Sequence, residues 1–344
     1  MLKRLFSLFL ALFMGVWNFI AICYGVGVAW GPKIDLDKFE LTFEDTFDGE
    51  QLDSTKWTTK KYWNNDHDYI RQGGFWDPEQ ITVSDGTLKI TTEYKENGKY
   101  GPGYYTGMLN TKGLFEQTHG YFEIRCILPK AEGMWSAFWM LCDSMADVTD
   151  GGRNGAEIDI YESANYQDWK VRNSVSHAVH VDGYGSDLKS EGQGSTLANR
   201  PYDEFNTYGL EWNEEEYIFY VNGRVAARTS FQGTPMVPEF MIISCEVGGS
   251  GGVAGAAGSG SHCRAGGGFA GYTLYRWIGR RAAHRFAAVP FCPQKAGRCA
   301  CGQHRARHKQ QCYAGTVRGG SCQDGACSHH GAAHGAAVRY ALRG

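Results

Sequence analysis

Acidic side chains are almost absent from the last 97 residues of this 344-residue chain. Gly248–Gly344 holds Asp324 alone against 13 Lys+Arg, whereas Met1–Val247 holds 36 Asp+Glu against 21 Lys+Arg. The formal total of −3 is therefore a cancellation of −15 by +12. An acidic body repels phosphate, which excludes nucleic acid as the partner of the whole chain. Collagen is excluded too, because the Gly/Ala-rich end has no three-residue glycine period. Cysteine is scarce where a fold could use it: seven of the 11 lie in the last 97 residues. Between Cys23 and Val247 only Cys126, Cys142 and Cys245 remain, an odd set that gives no disulfide framework.

Charge is also missing near the N-terminus. Lys3 and Arg4 precede an uncharged run from Leu5 to Trp30. With small residues at Gly27 and Ala29, this reads as an export signal over 1–29, cleaved before Trp30. An uncleaved membrane anchor is the alternative, since about 20 apolar residues span a bilayer. Both put the remainder outside the cytoplasm, with membrane contact only in the second case.

No long helical period occurs between Phe39 and Val247. Short alternating segments rich in Thr, Tyr, Phe, Trp and Ile are punctuated by Gly, Asp and Asn, which reads as strands and hairpins. Asp85-Gly86 and Asn222-Gly223 each sit between two strand-like runs and predict tight hairpin turns. In Gly120–Leu128, Phe122, Ile124, Cys126 and Leu128 share a face, so Cys126 reads as core. The expected fold is all-β, a sandwich of two antiparallel sheets over residues 39–247.

The chemistry concentrates in Gly155–Ser163, GAEIDIYES, with acids at Glu157, Asp159 and Glu162. On a regular strand Glu157 and Asp159 share one face and Glu162 falls on the other. One extra residue, a β-bulge at Ile160-Tyr161, returns Glu162 to their face. Three crowded carboxyls raise the pKa of at least one, as a proton donor near neutral pH requires. Two carboxyls about 5–5.5 Å apart suit retaining glycoside hydrolysis. A merely solvated acidic strand is the competing reading.

Trp135 and Trp139, in GMWSAFWML, also share a strand face. Trp63, Trp76, Trp169, Tyr104 and Tyr105 add aromatics within polar segments, which favours a sugar-stacking cleft over simple core filling. His177 and His180 point to opposite faces of one strand, so one belongs to the core or rim and the other reaches toward a sugar. The same spacing makes them a poor metal pair.

These residues resemble glycoside hydrolase family 16. EIDIYE is similar to its ExDxxE signature. ITVSDGTLKITT, TGMLNTKGLFEQTHGYFEIR, LPKAEGMWSAFWML, HVDGYG and YGLEWNEEEYIFYVNG follow in the family's order across roughly Phe39–Val247. The resemblance implies an exported, concanavalin-like jelly-roll enzyme that cuts internal bonds of β-1,3- or mixed β-1,3/1,4-glucan with retention. It implies Glu157 as nucleophile, Glu162 as acid/base and Asp159 as the carboxylate that orients the nucleophile. Trp135, Trp139 and His180 match substrate-binding positions. No cofactor or catalytic metal is implied; many members carry a structural calcium, for which no local Asp/Asn/Gly run stands out here. The expected enzyme is a monomer whose partner is the polysaccharide. A non-catalytic carbohydrate-binding or wall-associated protein, or an inactive product of a damaged gene, is the alternative.

The tail, 248–344, departs from the family, which continues into a last strand with a sequence like DYVRVY. Three readings compete: an out-of-frame continuation, a disordered basic tail, and a Cys/His metal module. The last is weakened by the absence of any CxxC pair and by the irregular spacing of Cys299, Cys301, Cys312, Cys322 and Cys327 around His304 and His308. The first predicts a sandwich without its final strand.

Overall fold

The computed structural model describes residues 15–63, 73–164 and 166–248, together with the backbone of the strands Ile70–Arg71 and Thr273–Ala282. The chain divides into two units, Met1–Phe286 and Ala287–Gly344, and all the described residues belong to the first. Residues 1–14 of the export signal read over 1–29 lie outside the described residues. Residues 15–23 are helical, and among the described residues no helix is long and apolar enough to cross a membrane.

Two antiparallel sheets form a sandwich. The first runs in the order Lys189–Leu197, Ser174–Val181, Glu157–Ser163, Met134–Leu141, Glu239–Val247, Met108–Asn110, with Glu116–Gln117 also pairing on Glu239–Val247. We call Glu157–Ser163 the acid strand, Met134–Leu141 the tryptophan strand, Ser174–Val181 the histidine strand and Glu239–Val247 the inner strand. The second sheet runs Arg224–Thr229, Tyr217–Val221, Asn206–Trp212, Gly120–Ile127, Thr273–Ala282, Thr87–Ile90, Ile81–Ser84, with Phe39–Asp45 also pairing on Thr273–Ala282. Side chains from the facing sides make one core, in which Phe122, Ile124, Phe138, Met140, Ile158, Leu210, Phe219 and Ile243 are all fully buried. Each such side chain contributes roughly 1.5–3 kcal/mol by leaving water.

Several local expectations hold. Asp85 and Gly86 take φ of 54° and 66°, and Asn222 and Gly223 take 51° and 70°. Positive φ at both central residues is the type I′ geometry that suits a two-residue hairpin. Phe122, Ile124, Cys126 and Leu128 all face the core, and burial pushes the Cys126 thiol up to about 12, so it is inert.

The missing last strand is a correction. Thr273–Ala282 pairs antiparallel with Gly120–Ile127 from Tyr121↔Arg280 to Ile127↔Leu274. On its other side it pairs with Thr87–Ile90 and with Phe39–Asp45. Without it, Gly120–Ile127 would present an open row of N–H and C=O groups in the middle of a sheet. TLYRWI is rich in aromatic and β-branched residues, which suits it to that gap even though it does not resemble DYVRVY. The Cys/His cluster from Cys299 to Cys327 lies outside the described residues.

Candidate active site

The acid strand is irregular at the predicted place. Against the tryptophan strand, Asp159 pairs with Trp139 and Tyr161 with Phe138, so Ile160 is extra. Against the histidine strand, Asp159 pairs with Ala178 and Glu162 with Ser176, again with one residue too many. Ile160 and Tyr161 are consecutive yet both join the core between the sheets, whereas a regular strand turns successive side chains to opposite faces and a bulge does not. The cause is apolar: both side chains gain more from the core than the strand loses in one ladder position. The consequence is that Glu162 returns to the face of Glu157 and Asp159.

All six residues singled out in the sequence, Glu157, Asp159, Glu162, Trp135, Trp139 and His180, line one cavity of about 280 Å³. Trp139 donates its indole N–H to Ser244 Oγ at 3.2 Å and meets the ring of Tyr62 edge-on at 5.4 Å. His180 Nδ1 lies 2.6 Å from Ser190 Oγ. Its Nε2 is 3.1 Å from Asp159 Oδ2 and 3.9 Å from Glu157 Oε1. His177 faces the opposite side, into the core, with 1% exposure.

The carboxyls differ in environment. Burial, then the charges of Glu157 and Glu246, push Asp159 well above the ordinary range. Burial, then the charges of Asp159 and Glu157, do the same for Glu162, against a smaller opposing effect of His180. Glu162 thereby keeps its proton to higher pH than an ordinary carboxyl, the direction a proton donor requires. Glu157 accepts a hydrogen bond at Oε2 from the hydroxyl of Tyr184. Glu157, Asp159 and His180 each place one ligand atom within 4.8 Å of the others, a set that could hold a small cation.

Sequence reasoning missed a hydrogen-bond partner of Glu157 and a member of the cavity. Tyr184, the partner, stands on the HVDGYG turn, where a single exposed tyrosine carries no periodic signal. Glu246 lines the cavity; it sits in the inner strand, whose nine residues are all buried. An acid within the apolar run EFMIISCEV is the signal that could have revealed it. The other aromatics divide. Trp63 and Trp76, 5.9 Å apart, line a second cavity of about 400 Å³ with Lys60, Lys61, Lys99 and Tyr100. Tyr105 is fully buried, Tyr104 meets Tyr94 edge-on, and Trp169 meets Trp17 and Tyr24; none of these three lines either cavity.

Residues 40–249 match the family profile described as "Beta-porphyranase A-D, GH16 domain". Among relatives, endo-1,3-1,4-beta-glycanase ExsH of Rhizobium meliloti (strain 1021) is 29% identical over 239 residues, covering 63% of this chain and 48% of that protein. A beta-glucanase of Rhodothermus marinus is 30% identical over 189 residues, covering 54% and 63%. The chain thus spans less than two thirds of either relative's length. The solved structure of SCLam, a non-specific endo-beta-1,3(4)-glucanase from family GH16, superposes with a TM-score of 0.57 at 23% identity, covering 77% of this chain and 99% of that one, a likeness of fold. With the profile matched over more than half of its length, the chain belongs to glycoside hydrolase family 16.

Proposed function

We propose that the chain hydrolyses internal β-glycosidic bonds of a polysaccharide, β-1,3- or mixed β-1,3/1,4-glucan, by retaining double displacement. The observation that carries this is the bulge at Ile160-Tyr161, which sets Glu162, a carboxyl of raised proton affinity, on the same face as Glu157. In the first step the Glu157 carboxylate attacks the anomeric carbon. The glycosidic C–O bond breaks, and the Glu162 proton passes to the departing oxygen. In the second, the Glu162 carboxylate takes a proton from water as the water oxygen attacks the same carbon, releasing Glu157 from its ester. Asp159, on the same strand face beside Glu157, orients the nucleophile, with His180 Nε2 3.1 Å from its Oδ2. Trp135 and Trp139 offer ring faces to the sugar, and His180 a hydrogen bond.

No cofactor enters either step. The export signal and the acidic body fit an extracellular monomer acting on a neutral polymer. A non-catalytic sugar-binding sandwich would keep Trp135 and Trp139 but would have no use for a protonated Glu162 beside Glu157. A second substrate reading follows from the matched profile, whose description names porphyranase.

The test is Glu157→Gln assayed beside the wild type for reducing-sugar release and polymer pull-down on laminarin, lichenan, agarose and porphyran. We expect release to vanish on the polymer the wild type cuts while pull-down persists. Undiminished release would reject Glu157 as nucleophile; release from agarose or porphyran alone would replace glucan by galactan.

A further inference from the structure

A bulge leaves its extra residue out of the ladder, so something else must satisfy and hold it. Ser176 pairs with Glu162 and Ala178 with Asp159, which leaves His177 alone opposite Ile160-Tyr161. On its other flank Ser176 pairs with Ser195 and Ala178 with Gly192, so His177 also stands opposite a second irregularity, at Gln193-Gly194, where Gly194 takes a φ of 78°. His177 is thus the single residue on which both irregularities converge. Its Nδ1 lies 2.7 Å from the Ile160 carbonyl oxygen. A carbonyl only accepts, so Nδ1 carries the proton and donates.

We infer that His177 is a positioning residue for the catalytic pair: its Nδ1–H, donated to the Ile160 carbonyl, fixes the bulge and so fixes the place of Glu162 in the cavity. This rests on the proposed role of Glu162 as proton donor. His177 is not among the residues that line the cavity. It is buried, with its ring 5.1 Å from that of Phe219 in the opposite sheet.

A core histidine that merely fills space is the competing account, and Nε2 speaks against it. That nitrogen is buried without a hydrogen-bond partner among the described residues. An apolar side chain would fill the same volume without leaving a polar atom unsatisfied. The imidazole is retained at that cost only if the other nitrogen's bond matters. Burial pushes the ring down to about 4, so it is neutral where the enzyme would work, and one proton sits on Nδ1 as the geometry requires. Glu162 itself is faced by Glu157 and Asp159 from its own strand and by His180 from the histidine strand, with Glu246 of the inner strand on the same cavity. A small displacement of Glu162 would alter its distance to every one of these groups.

The experiment compares full-length His177→Leu, which fills the volume without a donor, with His177→Asn, whose amide puts a donor where Nδ1 stands. For both, kcat, KM, the pH profile of kcat/KM and the melting temperature are measured, with Glu162→Gln alongside. We expect His177→Leu to lose about ten- to a hundredfold in kcat with KM within about twofold, and its basic limb to shift. His177→Asn should stay within about threefold of wild type with the limb unmoved. Equal losses in the two variants, or a folded His177→Leu with unchanged kcat and pH profile, would overturn the inference. If His177→Leu does not fold, His177→Asn decides alone: retained kcat supports the inference, and a folded but impaired protein overturns it. A fully active Glu162→Gln would instead sink the acid/base role on which the inference depends.

Discussion

Tyr184 shows how much of the site depends on single side chains that chain order does not advertise. The residue is 60% exposed, yet its hydroxyl donates to Glu157. A hydrogen bond to a charged group is worth about 1.5–3 kcal/mol, or roughly ten- to a hundredfold in rate when it orients a nucleophile. Tyr184→Phe should lower kcat within that range and leave the melting temperature unchanged, because the exposed ring contributes little to the core; an unaffected kcat would refute the orienting role. Glu162 supports a second expectation. Its proton is held above the ordinary carboxylate range by burial and by the charges of Asp159 and Glu157, so activity should persist at pH values where an unperturbed glutamate is ionised and fall only as pH rises through the raised value. A kcat/KM profile that falls from pH 5 upward would contradict this. The acids themselves were legible because depleted residue types in a strand stand out, and the two tryptophans because period-two spacing puts them on one face. Glu246 was legible by the same rule, as an acid in an apolar run, and was passed over; Tyr184 was not, being an isolated tyrosine in a turn.

At the scale of elements, the bulge followed from arithmetic alone: five residues from Glu157 to Glu162 cannot share a face without one extra. What holds the bulge was hidden, because it depends on which strand lies alongside, and His177 is brought opposite Ile160 only by sheet order. A second anchor works the same way. Glu239, at the start of the inner strand, accepts the Ala156 N–H at 2.9 Å, fastening the backbone immediately before Glu157. Burial pushes this carboxyl up to about 8. A carboxyl with a raised folded-state value stabilises the fold fully below the ordinary carboxyl range, and that contribution is lost as pH rises through the folded value. The wild-type melting temperature should therefore decline between about pH 5 and 9. Glu239→Gln, which keeps an acceptor for Ala156 and cannot ionise, should decline less and exceed the wild type at the upper end. Parallel curves for the two proteins in differential scanning calorimetry would show that Glu239 does not carry this dependence.

For the molecule as a whole, the charge boundary near Gly248 is not the boundary of the sandwich. Composition changes there, but the second sheet still needs a strand between Gly120–Ile127 and Thr87–Ile90, and Thr273–Ala282 supplies its backbone pairs. Composition could not reveal this, because backbone pairing asks only for an extended segment and tolerates arginine at many positions. A chain ended after Gly248 should consequently fail to give a cooperative melting transition that the full chain gives; a truncated protein melting like the full chain would deny the strand its structural role. Closed in this way, the sandwich can hold the acid strand rigid enough for two carboxyls to act on opposite steps of one reaction. The most direct measurement of that central claim is the anomeric configuration of the first product, followed by proton NMR as the polymer is cut. Retention by Glu157 and Glu162 predicts a β-configured reducing end that only later mutarotates; an α-configured product appearing first would contradict the account.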